Sequence, residues 1–544
     1  MIYNSQDTVL SIICSFTAYY LLMSSGWTYL SYITFLVLIH FILQLREPEK
    51  LHTKDDFSVC VVGSGIAGIC MGKKLNDVGI DYVILEKASS LGGTWFENIY
   101  PGIACDVPSH LYSFSFYKNP NWSKMYSPGK EIQSYLTEVA SYFNVLPKMK
   151  FNTKVDSATW ISKMGKWEMK LDDNSTIYAN VLVTATGQLH VPNTPDFPGK
   201  DKFVGESFHT AEWKANFDPN GKSIGLIGTG ASAVQAVPNL VKQGVKELTV
   251  FQRTPCWSFP RFEFFFSEKA KFVFQYAPFV GTTLRYMIYW AQETLFLVMI
   301  CKPNILTKWL NGMMRDLTRK WYKMNIDDPE LLKALTPKFP MGSKRITPSD
   351  EYVATYNKPF VHLVLDKIET FTENGIRTTN QTEYKFDTIV YATGFNMIKN
   401  ANPFEIRGLD EKPLREIFED TPKAYMGCTH PNLPNFFFLN GPGTGLGHSS
   451  MVFMIECQAD YAIDGIRQLI KFRAKSFKLR EDSLKRYWDW TQNQMKELVF
   501  GSHSPVTGWY RNEKGVNWTL YPGSLTRFWW TTRKFDLHDY EIRY

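Results

Sequence analysis

The feature that most narrows the fold of this chain occurs twice: an apolar run, a glycine-rich turn, then a helical pattern. In "FSVCVVGSGIAGICMGKKL" the run Val59 to Val62 enters Gly63-Ser64-Gly65-Ile66-Ala67-Gly68. An apolar run of this length reads as a buried parallel strand. Gly63 suits a tight turn, Gly65 lets the backbone approach a pyrophosphate, and Gly68 allows close helix–strand packing. The N–H groups opening the helix then face the phosphates. A second strand, "DYVILE", ends at Glu86, 18 residues after Gly68, where a carboxylate can bind ribose hydroxyls.

The second copy is "KSIGLIGTGASAVQAVPNL", with the strand at Ser223 to Ile227 and the turn Gly228-Thr229-Gly230-Ala231-Ser232-Ala233. Its following strand, "KELTVF", ends in Gln252-Arg253-Thr254 rather than an acid. A carboxylate would repel a ribose 2′-phosphate, whereas the Arg253 guanidinium grips one through paired N–H donors. Glu86 therefore suits FAD and Arg253 suits NADPH, the layout of a flavoprotein with two dinucleotide sites. Ser232 and Gln235 are expected on the second helix near the diphosphate, with Thr254 beside Arg253. "LVTATG", ending at Gly187, and "IVYATGF", ending at Phe395, read as strands closing on small-residue turns where the chain crosses between nucleotide domains.

At 544 residues the chain is too long for one core. Its net charge of +7 is scattered rather than blocked, which gives no nucleic-acid patch. Eight cysteines form no CxxC pair and no metal spacing, so no metal is expected and the thiols read as buried in a reducing compartment. Between Thr8 and Leu45 there is no Asp, Glu, Lys or Arg. About 20 apolar residues cross a bilayer, so this stretch holds one long span or two short ones turned at "MSSGW". Arg46, Lys50 and Lys54 follow, which places the rest of the chain on the cytoplasmic side.

"GGTWFENIYPGIACD", Gly92 to Asp106, resembles the long FAD-side motif of type I Baeyer–Villiger monooxygenases, with Gly93, Trp95, Tyr100, Pro101, Gly102 and Asp106 in place, and implies cofactor contacts at Gly93, Thr94, Trp95 and Asp106. "FVGESFHTAEW" resembles that family's fingerprint FxGxxxHxxxW through Phe203, Gly205, His209 and Trp213. "MGSKRITPSDEY", "NFFFLNGPGTGLGHSS" and "PVTGWYRNEKGVNWTLYPGS" extend the resemblance over roughly residues 56 to 540. One position departs: Lys214 follows the fingerprint tryptophan, where the family usually has Pro or Asp. Lysine there is common in the related flavin-containing monooxygenases, which oxidise nitrogen or sulfur and carry another ring in place of Trp213.

The resemblance implies FAD, NADPH and O2, a flavin C4a-peroxide, and conversion of a ketone to an ester or lactone. It implies Arg345 as the fixed cation that stabilises anions, Asp106 as its partner, Lys344 near the NADP 2′-phosphate, and Trp509 against NADP and the pocket. It gives the fingerprint a hinge role, with His209 hydrogen-bonding across the linker, Phe203 and Trp213 anchoring its ends, and Gly205 adopting a conformation other residues resist. Besides nitrogen or sulfur oxidation, the chain allows a third reading, a nucleotide-binding membrane protein without catalysis, which would not pair tight FAD with bleaching by NADPH.

The expected architecture is α/β: two dinucleotide-binding, Rossmann-like domains with a helical insertion and an N-terminal hydrophobic membrane segment. The membrane anchor takes 1–55, the FAD domain 56–192 and 386–544, and the NADP domain 193–385. The insertion, about 262–336, is apolar but interrupted by Pro278, Arg285 and Glu293, which argues against a span. It reads as packed helices forming a lid or substrate channel, as a buried helical subdomain, or as an apolar face resting on lipid to draw in a lipophilic substrate.

Overall fold

The computed structural model describes residues 49–51, 56–299, 305–501 and 510–544. The expected membrane segment between Thr8 and Leu45, and Trp509, lie outside the described residues. No helix of the described residues is long and apolar enough to cross a membrane.

Two five-stranded parallel sheets carry the molecule, and they match strand for strand. In the first, Ser58–Val62 is central, with Asp81–Leu85 and then Met149–Lys150 on one side and Val181–Thr184 and then Phe436–Phe438 on the other. In the second, Ser223–Ile227 is central, with Glu247–Phe251 and Val361–Val364 on one side and Thr388–Tyr391 and Glu206–His209 on the other. The central strands are apolar because helices cover both faces of a parallel sheet; Cys60, Val61, Ile224 and Leu226 are wholly buried. Each half also inserts a small antiparallel unit before its Ala-Thr-Gly strand, at Val155–Ala179 in the first and Ile368–Lys385 in the second.

Strand Thr388–Tyr391 corrects the expected boundary at 385–386. It hydrogen-bonds to Ser223–Ile227 and to Glu206–His209, so the second sheet keeps the chain as far as Tyr391. The return crossing follows at Ala392–Gly394. There it pairs with the outgoing crossing: Asn193 N donates to Gly394 O (2.9 Å) and Asn396 N to Val191 O (2.9 Å). The linker between the halves is thus two antiparallel segments tied together.

The helices that matter for the site are, in chain order, α1 (Ile66–Val78), α2 (Gly129–Tyr142), α3 (Ala231–Lys242), α4 (Glu268–Tyr276), α5 (Pro278–Met299), α6 (Ile305–Asn325), α7 (Met451–Lys471) and α8 (Leu525–Thr532). Gly79 ends α1 in the left-handed conformation (φ 73°), with Ile80 N reaching back to Leu75 O.

Helices α4 to α6 fill the insertion. The two charges that interrupt α5 are consumed by the body. Buried Arg285 donates from Nη1 to the carbonyls of His110 (2.8 Å) and Ser113 (3.0 Å). Buried Glu293 accepts from Leu525 N (2.9 Å) and from Thr526 N (3.2 Å) and Oγ1 (3.0 Å), so its carboxylate caps the N-terminus of α8.

Arg285→Ala strands buried carbonyls without a donor, which costs roughly 1–3 kcal/mol for an unsatisfied group. We expect a lower urea midpoint for that variant. Met287→Ala, on the 65% exposed side of the same helix, should stay within about 0.5 kcal/mol of the parent.

Candidate active site

Both glycine turns are built by close approach of backbones. A Cβ at Gly63 (φ +106°) would lie 2.6 Å from Ala185 O, and one at Gly228 (φ +118°) 2.3 Å from Ala392 O. Each Ala-Thr-Gly segment therefore runs directly over the first glycine of its own turn. A Cβ at Gly68 would come within 1.9 Å of Gly63 O, so α1 packs on the turn only with glycine there.

The middle residue of each turn ties it to the next strand. Ser64 donates from N (2.8 Å) and Oγ (2.9 Å) to Glu86, whose other oxygen accepts from Ala88 N. Thr229 Oγ1 donates to Thr254 O (2.7 Å). The Gly92-Gly93 turn closes against the first site: a Cβ at Gly93 (φ +55°) would lie 3.1 Å from Gly65 Cα. Thr94 opens the short helix that follows and is exposed, while Trp95 is buried and donates from Nε1 to Tyr112 Oη.

These cradles fit dinucleotides. Gly65 and Gly230 cap α1 and α3 with extended backbone, which leaves the first N–H groups of each helix for phosphate. A Cβ on Gly230 would point into open space, the room a diphosphate needs. Arg253 is exposed, and its charge adds to burial in lowering the pKa of Lys344 below the ordinary 10.5. Two cations facing one space suit a 2′-phosphate.

The halves meet at Ala104-Cys105-Asp106, where each residue accepts from a donor of the second half. Gln235 Nε2 donates to Ala104 O (2.8 Å) and Arg261 Nη2 to Cys105 O (3.0 Å). Arg345 grips the Asp106 carboxylate with a fork, Nε to Oδ2 at 2.6 Å and Nη2 to Oδ1 at 2.5 Å. Its remaining nitrogen, Nη1, donates to Leu446 O (3.0 Å). Burial alone would raise the Asp106 carboxyl, but the adjacent guanidinium outweighs it and holds it below the ordinary carboxylate range. Arg345 is pushed up by the same carboxylate, against its own burial.

Two expectations change, and Gln235 gains partners. It lies on α3, where its Oε1 accepts from Tyr100 Oη (2.8 Å) while Nε2 holds Ala104. It is a clasp between the halves, and Ser232 lies beside the same tyrosine. Gly205 shows no left-handed backbone; glycine is required because a Cβ would meet the Phe203 ring at 2.5 Å and Asp387 O at 2.6 Å. The fingerprint contains the edge strand of the second sheet, Glu206–His209, and touches the paired linker segments through His209.

His209 Nδ1 accepts from Ala211 N (3.1 Å), which leaves the proton on Nε2, on the side of Gly394. The ring packs edge-on against Phe395 (5.6 Å), and burial lowers its pKa, so it is neutral. Trp213 packs edge-on against Phe208 and Phe217 (5.2 and 5.4 Å). Lys214 pairs with Glu206 at the surface (2.7 Å).

Sequence reasoning missed Arg261, the Leu446 carbonyl, and the contact of Glu293 with His448 (3.9 Å), whose ring stacks on Phe296 at 4.3 Å. A lone arginine in "FPRFEFFF" carries no motif.

Known proteins resemble this chain over most of its length. The family described as pyridine nucleotide-disulphide oxidoreductase matches residues 60–264. A Baeyer–Villiger monooxygenase of Streptomyces coelicolor is 36% identical over 501 residues, 92% of this chain and 94% of the relative. Among solved structures, an oxidised steroid monooxygenase bound to NADP superposes with a TM-score of 0.79 at 29% identity, covering 90% of this chain and 100% of the other. A complex of the protein OTEMO with FAD and NADP gives 0.79 at 25% identity, with coverage of 90% and 100%.

Arg253→Ala and Lys344→Ala should each raise KM for NADPH by about tenfold or more, the worth of a hydrogen bond to a charged group, and leave KM for NADH unchanged. Lys344 loses its charge at a lower pH than a free lysine, because burial and Arg253 depress its pKa. Affinity for NADPH, but not NADH, should therefore fall as pH rises toward the ordinary lysine range.

Proposed function

The chain belongs to the Baeyer–Villiger monooxygenases, and from that premise we propose that it converts a lipophilic ketone to an ester or lactone at the Asp106–Arg345 pair. It is an FAD-containing, NADPH-dependent flavoprotein monooxygenase. Bound FAD, reduced by NADPH, supplies the activated dioxygen.

The observation that carries the reading is the bidentate fork of Arg345 on Asp106, with Leu446 O on the remaining nitrogen. A guanidinium so held cannot swing, and it does not give up its proton in this range. It presents a fixed positive charge to the negative oxygen that a ketone carbonyl becomes when it is attacked. Preorganised charge of this kind stabilises a transition state without reorganisation at the moment of reaction. Asp106 stays ionised because the guanidinium lowers its pKa. Arg261 and Gln235 keep the preceding carbonyls in place, so the carboxylate cannot drift.

Oxidation of nitrogen or sulfur needs no such cation. The one residue that pointed to it, Lys214, is engaged by Glu206 on an exposed edge, so its presence is explained without the chemistry of the site. Glu86 for the FAD ribose, and Arg253 with Lys344 for the NADP phosphate, complete the assignment. The uncharged stretch from Thr8 to Leu45, followed by Arg46, Lys50 and Lys54, supports a membrane anchor with the catalytic body on the cytoplasmic side.

With labelled dioxygen and a panel of long-chain, cyclic and aryl ketones, the product ester should carry one labelled oxygen by mass spectrometry. Arg345→Ala should lower its formation by about 10²–10³-fold, while thioether sulfoxidation and NADPH-dependent bleaching of the flavin under nitrogen persist. Arg345→Lys should fail similarly, because an ammonium cannot form the fork. Ester formation by Arg345→Ala at the parent rate would sink the assignment.

A further inference from the structure

We propose that α4 and α5 form a lipid-docking face that seats the catalytic body on the surface of a phospholipid bilayer. The inference rests on reading Thr8 to Leu45 as a membrane anchor, and it adds a second, separate contact. On α5, Phe279, Tyr286, Trp290 and Leu297 are 61, 49, 57 and 56% exposed. They are spaced seven, four and seven residues apart. At 3.6 residues per turn these positions fall within about 40° of one another around the helix. The preceding helix adds Phe272 and Tyr276, 61 and 69% exposed, with ring centroids 4.5 Å apart. A contiguous apolar stripe of this size needs a partner.

The sector of α5 that adjoins this stripe shows why that partner is a surface rather than a bilayer crossing. Arg285, Tyr289 and Glu293 bond to the body, through the His110 and Ser113 carbonyls, Thr526 Oγ1 and Leu525 N respectively, and Phe296 is buried beside them. One sector is bolted down by polar groups and the next is exposed and aromatic. That division is the mark of a helix lying in an interface. Large aromatic rings are also the residues enriched at the headgroup level.

The place where the N-terminal segment enters the body selects lipid as the occupant. Lys50 Nζ donates to Asn76 O (3.0 Å) and Leu51 N to Val78 O (2.8 Å), at the C-terminal end of α1. Asn76 Nδ2 donates in turn to Phe143 O (2.9 Å), just past α2. There Tyr142, 69% exposed, lies against Tyr117 at 4.9 Å. Lys118, the next residue, donates from Nζ to Thr282 Oγ1 (2.7 Å) in the first turns of α5. A line of contacts thus joins Lys50 and Leu51, which follow the uncharged segment in the sequence, to the end of α5 that carries Phe279. An anchor leaving the body beside an aromatic face brings that face to the same bilayer.

The test uses the full chain in phosphatidylcholine vesicles, with p-benzoylphenylalanine in place of Trp290. Flotation with the vesicles reports the anchor, and a photo-adduct of phosphatidylcholine mass at position 290 reports the face. We expect both, and no lipid adduct from the same photoprobe at Tyr178, 44% exposed on the four-stranded sheet. Floating protein whose position 290 couples to residues 8–45, to a second copy, or to nothing overturns the docking while keeping the anchor. Protein that does not float overturns both. As a second readout, Phe279→Glu with Trp290→Glu should raise KM at least about tenfold for a long-chain ketone supplied in vesicles, from the lost burial of two rings, and leave KM for a water-soluble ketone unchanged. Equal KM values for parent and variant in vesicles count against the face.

Discussion

Three consecutive backbone positions carry the union of the two halves. Ala104, Cys105 and Asp106 each accept from a different donor of the second half, namely Gln235, Arg261 and Arg345. The loop reaches them because Gly102 (φ +82°) lets the chain lie on α3, where a Cβ would come within 2.6 Å of Gln235 O. An ion pair half withdrawn from water, as this one is, is weak evidence of stability, since desolvation offsets much of its Coulombic gain. The Asp106–Arg345 fork is better understood as a means of fixing position. Its partners on either side make the placement of the cation a consequence of how the halves sit together. Anything that shifts α3 relative to the first sheet must move Gln235, then Ala104, then the carboxylate two residues on.

The glycine contacts explain why the halves face each other at all. Because Ala185 O and Ala392 O occupy the space where Gly63 and Gly228 would carry side chains, each chain leaves its sheet directly over its own phosphate turn. The two exits then meet and pair at Val191–Asn193 and Gly394–Asn396. The linker is therefore fixed in register, and neutral His209 sits under its Gly394 side.

What was legible in the sequence is what short-range physics encodes. Strand, turn and helix around Gly63 and Gly228, the acid at Glu86, and the arginine at Arg253 are all fixed by residues within one βαβ unit. The pairing of Asp106 with Arg345, 239 residues apart, was reachable only through resemblance, because no local pattern links the two. The clasp made by Gln235 was hidden for the same reason: only the fold brings Tyr100 to it, 135 residues away. The boundary near 385 slipped because "TIVYATGF" can close either domain. Hydrogen bonding across the sheet, rather than composition, assigns that strand to the second. Gly205 shows a subtler failure, since the need for glycine was legible but its cause was steric crowding by Phe203.

The insertion connects these layers. Charges inside an apolar helix read as reasons it cannot cross a membrane, and the fold shows what they do instead. Arg285 gathers the carbonyls of His110 and Ser113, which lie a few residues past Asp106 in the same segment of the first half. Glu293, two turns on, caps α8 and approaches His448. That histidine follows by two residues the Leu446 carbonyl that holds Arg345. Its ring is kept neutral by burial and is stacked on Phe296 of the same helix. Helix α5 therefore braces both segments that position the Asp106–Arg345 pair while turning its remaining side outward.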